Sequence, residues 1–189
     1  MRPDFSDEEI IKFTLNMSVG LVTGCILGGV IESGRWFELS GWGLVGGGWW
    51  ALRRWCNTQQ WDFWEVYDWI AVMALWFWFL GSAFYGWGAR YAFVSSFSGI
   101  IVTWFVKSHY RKFRWYPSGK VGIVGLSAVM VYAVYEITVA ILNAAPVYWW
   151  GLTLSQTVAA WVIAICMVTV YLRGGNRFHT NVKIFKKKS

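Results

Sequence analysis

One acidic residue, Glu136, is predicted to lie inside a membrane-spanning segment, where an ionisable side chain usually has a function. It lies six residues before Leu142, the end of an apolar stretch, which places it about 9 Å below the end of a helix that rises about 1.5 Å per residue. An acidic side chain at such depth costs roughly 2.5–3.5 kcal/mol, so it needs a basic partner or a polar cavity. The only basic residues predicted on that side of the membrane are Arg35 and Arg90. Glu136, Arg35 and Arg90 are therefore candidate catalytic residues; alternatively, Glu136 is protonated or paired for structural reasons.

The composition predicts an integral membrane protein. Of 189 residues, 57% are apolar, 20% are aromatic and 14% are charged, whereas soluble domains have about 45–50% apolar and about 25% charged residues. A soluble domain of this size has too little interior to bury so many Trp and Phe side chains. Apolar stretches predict an all-α, polytopic bundle that forms a single membrane domain over residues 1–189 with a basic tail at 173–189. Its six spans are predicted at about 10–31, 39–52, 63–84, 93–106, 121–142 and 149–172.

The basic residues predict the orientation of these spans. All of them except Arg35 and Arg90 fall at the termini or in the second and fourth connections. If the chain crosses the membrane six times, these segments all lie on the same side of it. Because cytoplasmic loops carry an excess of Lys and Arg, both termini are predicted to be cytoplasmic. The tail Lys183–Lys188 could bind RNA, but contact with anionic lipid headgroups fits a membrane protein better. No nucleic-acid partner is expected.

Small residues predict close helix packing. Gly20, Gly24 and Gly28 recur every four residues on one face of the first span, which predicts a helix seam that is either internal or intermolecular. The second span is glycine-rich, which predicts tight packing, a kink, or close approach of a lipid headgroup to the backbone. The cysteines and histidines form no ligand pattern, so neither a metal site nor another cofactor is expected.

Longer patterns follow one another in a characteristic order. They are GCILGGVIESGRWFE, LSGWGLVGGGWWALRRW, WDFWEVYDWIAVMALWFWFLGSAFYG, IIVTWFVKSHYRKFRWYPSGKVGIVGLSAVMVYAVYE and GLTLSQTVAAWVIAICMVTVYLRGG. This order resembles that of the prolipoprotein diacylglyceryl transferases, which move a diacylglyceryl group from phosphatidylglycerol to a lipoprotein cysteine. Gly34 and Arg35 match a G-A-R-like turn, Asp68 matches an aspartate that opens a helix, and Gln156 matches the G-L-T-x-x-Q lead of the last helix.

The resemblance implies a multi-pass protein of a bacterial-type cytoplasmic (inner) membrane. Two partners are expected: a membrane phospholipid, namely phosphatidylglycerol, and the cysteine of a prolipoprotein. The resemblance also implies lipid contacts at the positions that align with the family's motifs, namely Trp42, Gly43, Gly81, Tyr85 and Gly86.

Several family positions carry other residues in this chain. Gly41 or Trp42 stands at the family's loop histidine, residues 81–86 lack the arginine and asparagine of G-R-x-G-N-F, and Glu136 aligns with a second arginine. One hypothesis is therefore diacylglyceryl transfer, with Arg35 and Arg90 on the phosphate and Glu136 as base. The alternative is a non-catalytic membrane relative that binds a lipid or a partner membrane protein. A small transporter is disfavoured, because the chain shows no inverted repeat and few polar residues in its spans.

Overall fold

A computed structural model of the chain describes residues 7–33, 40–84, 90–142 and 151–175. Within these ranges the regular structure is helical, which confirms the predicted all-α class. The six long helices are α1 Asp7–Ser33, α2 Gly41–Gln59, α3 Phe63–Phe84, α4 Arg90–His109, α5 Ile123–Leu142 and α6 Leu154–Arg173. A short 3-10 helix, Tyr110–Lys112, follows α4.

Four of these helices are long and apolar enough to cross a membrane: α1 over Glu8–Glu32, and α3, α5 and α6 over their whole lengths. This indicates a multi-pass membrane protein. Helices α2 and α4 have 19 and 20 residues but are less apolar, so six spans stay a prediction. Helix α2 continues past its predicted end at Leu52 to Gln59, and α6 begins at Leu154, after three non-helical residues at 151–153.

Many large apolar side chains lie on the outside of the bundle. Phe77, Phe84 and Trp104 are 73%, 88% and 70% exposed. In α4 the buried face consists of small residues, among them Ser96, which is fully buried and donates from Oγ to the Phe93 carbonyl. This arrangement suits a lipid environment, in which close packing of small residues associates helices and apolar side chains stay outside.

Helices α1 and α2 form a closely packed pair. A Cβ atom built on Gly24 would lie 2.3 Å from the Gly43 carbonyl oxygen, and one built on Gly20 would lie 2.4 Å from the Ala51 Cβ. Gly28 faces Ser40 and Gly43 in the same way. The predicted glycine seam is therefore internal, between α1 and α2.

Basic residues of α4 and α6 lie at one end of the bundle. The Arg173 guanidinium donates to the Val121 carbonyl from Nε at 3.1 Å and from Nη2 at 2.6 Å, and it lies 4.2 Å from the Trp64 ring centroid. Lys107, at the end of α4, lies 4.3 Å from the Trp69 ring centroid in α3. We call this end of the bundle the basic end. Helices α2 and α4 begin at the opposite end and finish at the basic end.

The connection between α4 and α5 is anchored by Tyr116, which is 1% exposed. Its hydroxyl donates to the Lys120 carbonyl at 2.9 Å. Burial raises the pKa of this hydroxyl, with partial opposition from Arg173. The group therefore remains a protonated donor at neutral pH.

Candidate functional site

A cluster of polar side chains lies at the end of the bundle opposite the basic end, where α1 and α5 end and α2 and α6 begin. Ser155 Oγ donates to Glu136 Oε2 at 2.9 Å, and Trp42 Nε1 donates to Ser155 Oγ at 3.2 Å. The Tyr132 hydroxyl lies near Glu136 Oε1, since both are within 4 Å of the Cβ position of Gly41. We call these four residues the carboxylate cluster. The Ser155 hydroxyl, which α6 supplies, orients the Glu136 carboxylate of α5.

Gly41 allows Tyr132 to reach the cluster. A Cβ atom built on Gly41 would lie 2.0 Å from the Tyr132 hydroxyl oxygen and 3.7 Å from Glu136 Oε1. The Tyr132 ring is also held between two tryptophans, with its centroid 5.1 Å from that of Trp42 and 5.5 Å from that of Trp78. Any side chain at position 41 would compete with this placement.

A second carboxyl group lies near the same helix start. Ser40 is 2% exposed; its Oγ donates to Glu32 Oε1 at 2.7 Å and accepts the Gly43 N–H at 3.0 Å. Ser40 thus caps α2 and links it to Glu32 at the end of α1. Both carboxyl groups lie near the N-terminus of α2, whose dipole favours negative charge.

An apolar groove of about 470 Å³ leads to the carboxylate cluster. It separates α2 from α3, which contact each other little, and α1 and α5 complete its walls. At the basic end it reaches Trp49 and Tyr67, whose ring centroids are 4.9 Å apart; at the other end it reaches Trp78 and Tyr132. We call it the α2–α3 groove. Exposed Leu44, Met73 and Phe77 belong to its lining, so the groove is open at the bundle surface.

The residues predicted from the sequence occupy different places. Trp42 belongs to the carboxylate cluster, whereas Gly43 packs against Gly24 in the α1–α2 seam. Gly81 lies in α3, and a Cβ built on it would meet no atom within 4 Å. Tyr85 and Gly86 lie outside the described residues.

Of the predicted trio, Glu136 and Arg90 lie in the described part of the chain and are not paired with each other. Arg90 begins α4, is exposed, and donates from Nη2 to the hydroxyl of its neighbour Tyr91 at 3.0 Å. No ion pair joins it to Glu136, and Arg35 lies outside the described residues. Glu136 instead accepts a hydrogen bond from the Ser155 hydroxyl, and the Tyr132 hydroxyl lies near its other carboxylate oxygen.

Two residues of the cluster were not predicted. Tyr132 lies four residues before Glu136 on α5 and hence on the same helix face, which is a signal that the sequence does contain. Ser155 lies beside Gln156 at the start of α6, and no periodicity indicates that it meets α5. Asp68, predicted to lie near the start of a helix, lies in the second turn of α3 and also caps α5: Oδ2 accepts the Gly122 N–H and Oδ1 the Gly125 N–H, both at 2.7 Å.

Comparison of the chain with protein-family models, curated proteins and solved structures finds no match. The resemblance to the diacylglyceryl transferases therefore stays a prediction from the sequence.

Proposed function

We propose that the protein binds a membrane phospholipid, with an acyl chain in the α2–α3 groove and the headgroup at the carboxylate cluster. The observation that carries this proposal is the continuity of the two: Tyr132 lines the groove, and its hydroxyl and Glu136 Oε1 both lie within 4 Å of the Cβ position of Gly41. An apolar channel that is open at the bundle surface and ends at a fixed polar group matches the two parts of a phospholipid.

The proposed reaction is the one that the resemblance implies, transfer of a diacylglyceryl group from phosphatidylglycerol to a prolipoprotein cysteine. The cysteine sulfur bonds to the glyceryl carbon, the bond from that carbon to the phosphate oxygen breaks, and glycerol phosphate leaves. Glu136 accepts the thiol proton, because a thiolate is the reactive nucleophile. Arg35 and Arg90 are proposed to attract the phosphate.

The proposed topology has six crossings, with both termini in the cytoplasm of a bacterial-type inner membrane. Helix α2 packs along the candidate span α1 from Gly20 to Gly28. Helix α4 packs against the candidate spans α3 and α5, since Gly99 faces Leu75 and Val131. A helix of 19 or 20 residues is about 28–30 Å long, enough to cross the hydrocarbon core.

The test is a transfer assay with purified protein, labelled phosphatidylglycerol and a peptide that contains a lipoprotein-type cysteine. We expect transfer by the wild type and at least a hundredfold slower transfer by Glu136→Gln, in keeping with the loss of a general base. Glu65→Gln, at the exposed start of α3 near the basic end, is the matched control and should keep full activity.

A second pair of variants tests the groove. Ala74 lines it and is exposed, so Ala74→Trp should fill it and abolish transfer. Ala160→Trp places the same side chain at an exposed position of α6 outside the groove lining and should not change transfer. Equal activity of both variants would refute lipid binding in the groove.

A non-catalytic lipid-binding relative is the second candidate. The observation that favours it is the charge of the carboxylate cluster, since none of its four residues is basic. Under this alternative the wild type retains phosphatidylglycerol through purification, Ala74→Trp loses it, and no transfer to the peptide occurs.

A further inference from the structure

The outer face of α2 carries a stripe of polar and basic residues near the basic end. It consists of Trp50, Arg53, Arg54, Asn57 and Thr58, which line a shallow pocket of about 490 Å³. Their spacing of three and four residues places them on one side of the helix. We call this set the α2 stripe.

The α2 stripe lies on the exposed side of α2. Ala51, Leu52 and Cys56, on the other side of the same turns, are at most 1% exposed, whereas Trp50 is 57% exposed. Helix α2 also packs along α1, a candidate span. In the proposed topology the stripe therefore meets lipid directly.

The two arginines have no acidic partner in the described part of the protein. No carboxylate there lies within ion-pair distance of either guanidinium. Their contacts are with aromatic rings: the Arg54 guanidinium carbon lies 5.5 Å from the Trp50 centroid, and that of Arg53 lies 5.9 Å from the Phe63 centroid. A guanidinium on a lipid-facing surface requires an anionic acceptor, and its long side chain reaches toward the headgroups to find one.

The order of residues along the stripe matches the order of groups in a phospholipid. Trp50, nearest the middle of the helix, is suited to the boundary between acyl chains and headgroups. Arg53 and Arg54 follow one turn later, where each planar guanidinium group can donate two hydrogen bonds to phosphate oxygens. The Asn57 amide, one further turn along, adds a neutral donor beyond the phosphate.

From this arrangement we infer that the α2 stripe is a binding site for the phosphate of an anionic phospholipid in the leaflet at the basic end. Two guanidinium groups match a headgroup of net negative charge, whereas a zwitterionic headgroup brings its own cation into competition with them. The other basic residues of this end, Lys107 and Arg173 among them, raise the local concentration of anionic lipid. The site is at the opposite end from the carboxylate cluster and does not depend on the proposed transfer.

Native mass spectrometry of the full chain, purified with equal amounts of phosphatidylglycerol and phosphatidylcholine, tests this inference. The wild type should retain phosphatidylglycerol in preference to phosphatidylcholine. The double variant Arg53→Gln/Arg54→Gln should retain at least one phosphatidylglycerol molecule fewer, with about tenfold weaker binding in a titration. Arg53→Lys/Arg54→Lys, which keeps the charge without the paired geometry, should fall between the two.

Two controls decide the interpretation. Lys112→Gln/Arg114→Gln removes the same charge from the basic end outside the stripe and should retain lipid as the wild type does. An equal loss of bound phosphatidylglycerol in this control, or no loss of it in Arg53→Gln/Arg54→Gln, would contradict a binding site at the α2 stripe. Ala74→Trp, which fills the α2–α3 groove, should leave the lipid at the stripe bound; if it removes all retained phosphatidylglycerol, the bound lipid belongs to the groove and not to the stripe.

Discussion

At the scale of single residues, Glu136 has a hydroxyl partner and, among the described residues, no ion pair. Ser155 from α6 donates to its carboxylate, and the Tyr132 hydroxyl from α5 lies near it. A carboxylate with hydroxyl neighbours is held in one orientation. The hydroxyl groups of a bound ligand can still replace those of the protein as its hydrogen-bond donors. Hydroxyl groups of a glycerol headgroup are suitable partners, because they donate hydrogen bonds to a carboxylate.

The close approach of Gly41 and Tyr132 gives the first prediction. Gly41→Ala should place a methyl group 2.0 Å from the Tyr132 hydroxyl oxygen and should therefore lower the free energy of unfolding in SDS by about 1–3 kcal/mol. Tyr132→Phe should lower it by about 0.5–1.5 kcal/mol, because it removes the hydroxyl group that lies near the Glu136 carboxylate.

The double variant separates this clash from a general effect of substitution at position 41. In the Tyr132→Phe background the hydroxyl oxygen is absent, so Gly41→Ala should be less harmful by at least about 0.5 kcal/mol. An equal loss of stability in both backgrounds would show that the two residues do not interact. Gly46→Ala is the control, because a Cβ built on Gly46 meets no atom within 4 Å.

At the scale of helices, the α1–α2 pair depends on backbone contact. A Cβ built on Gly24 would approach the Gly43 carbonyl oxygen to 2.3 Å and the Gly47 Cα to 2.6 Å. Because backbone atoms cannot rotate away as a side chain does, Gly24→Ala should separate the two helices and lower the free energy of unfolding by about 1–3 kcal/mol. The measurement is SDS unfolding followed by circular dichroism, with Gly46→Ala expected to be neutral or slightly stabilising. Equal stability of the two variants would contradict the seam.

The start of α5 depends on a side chain from α3. Asp68 accepts both the Gly122 and the Gly125 N–H, so Asp68→Ala leaves two backbone donors without this acceptor and should lower the free energy of unfolding by about 0.5–2 kcal/mol. Asp68→Asn keeps one acceptor oxygen and should have a smaller effect. Glu65→Asn, one turn earlier on the exposed side of α3, is the control; a similar loss there would show that Asp68 has no special role.

One motif behind the sequence resemblance also has a structural explanation. In the T-x-x-Q pattern, Thr153 Oγ1 accepts the Gln156 N–H at 3.1 Å and Gln156 Oε1 accepts the Thr153 N–H at 2.9 Å. This is a capping box, which starts helix α6 whatever the protein does. The pattern therefore predicts the start of α6 directly, whereas its link to an activity rests on the other segments of the chain.

At the scale of the whole molecule, the sequence predicts the helices better than it predicts the site. Apolar stretches and small-residue spacing are local signals, and they predict the helices and the Gly20–Gly28 seam. The α2–α3 groove arises because α2 packs on α1 along its length and has few contacts with α3, among them that of Trp49 with Tyr67. No pattern within one helix records such a separation between two helices. For the same reason, the contact of Ser155 with Glu136 could not be predicted from either helix alone.

The six-crossing arrangement makes a prediction about the two ends of the bundle. With Cys25, Cys56 and Cys166 replaced by Ala, single cysteines can be placed at Leu152, beside the start of α6, and at Arg114, beyond the basic end of α4; both positions are exposed. A membrane-impermeant maleimide added to intact cells should label Leu152→Cys and should label Arg114→Cys only after permeabilisation, because basic connections remain on the cytoplasmic side. Labelling of Arg114→Cys from outside would reverse the orientation and would place the carboxylate cluster in the inner leaflet. Labelling of both Leu152→Cys and Arg114→Cys from outside would contradict the six-crossing arrangement, because the two ends of the bundle would then not lie on opposite sides of the membrane.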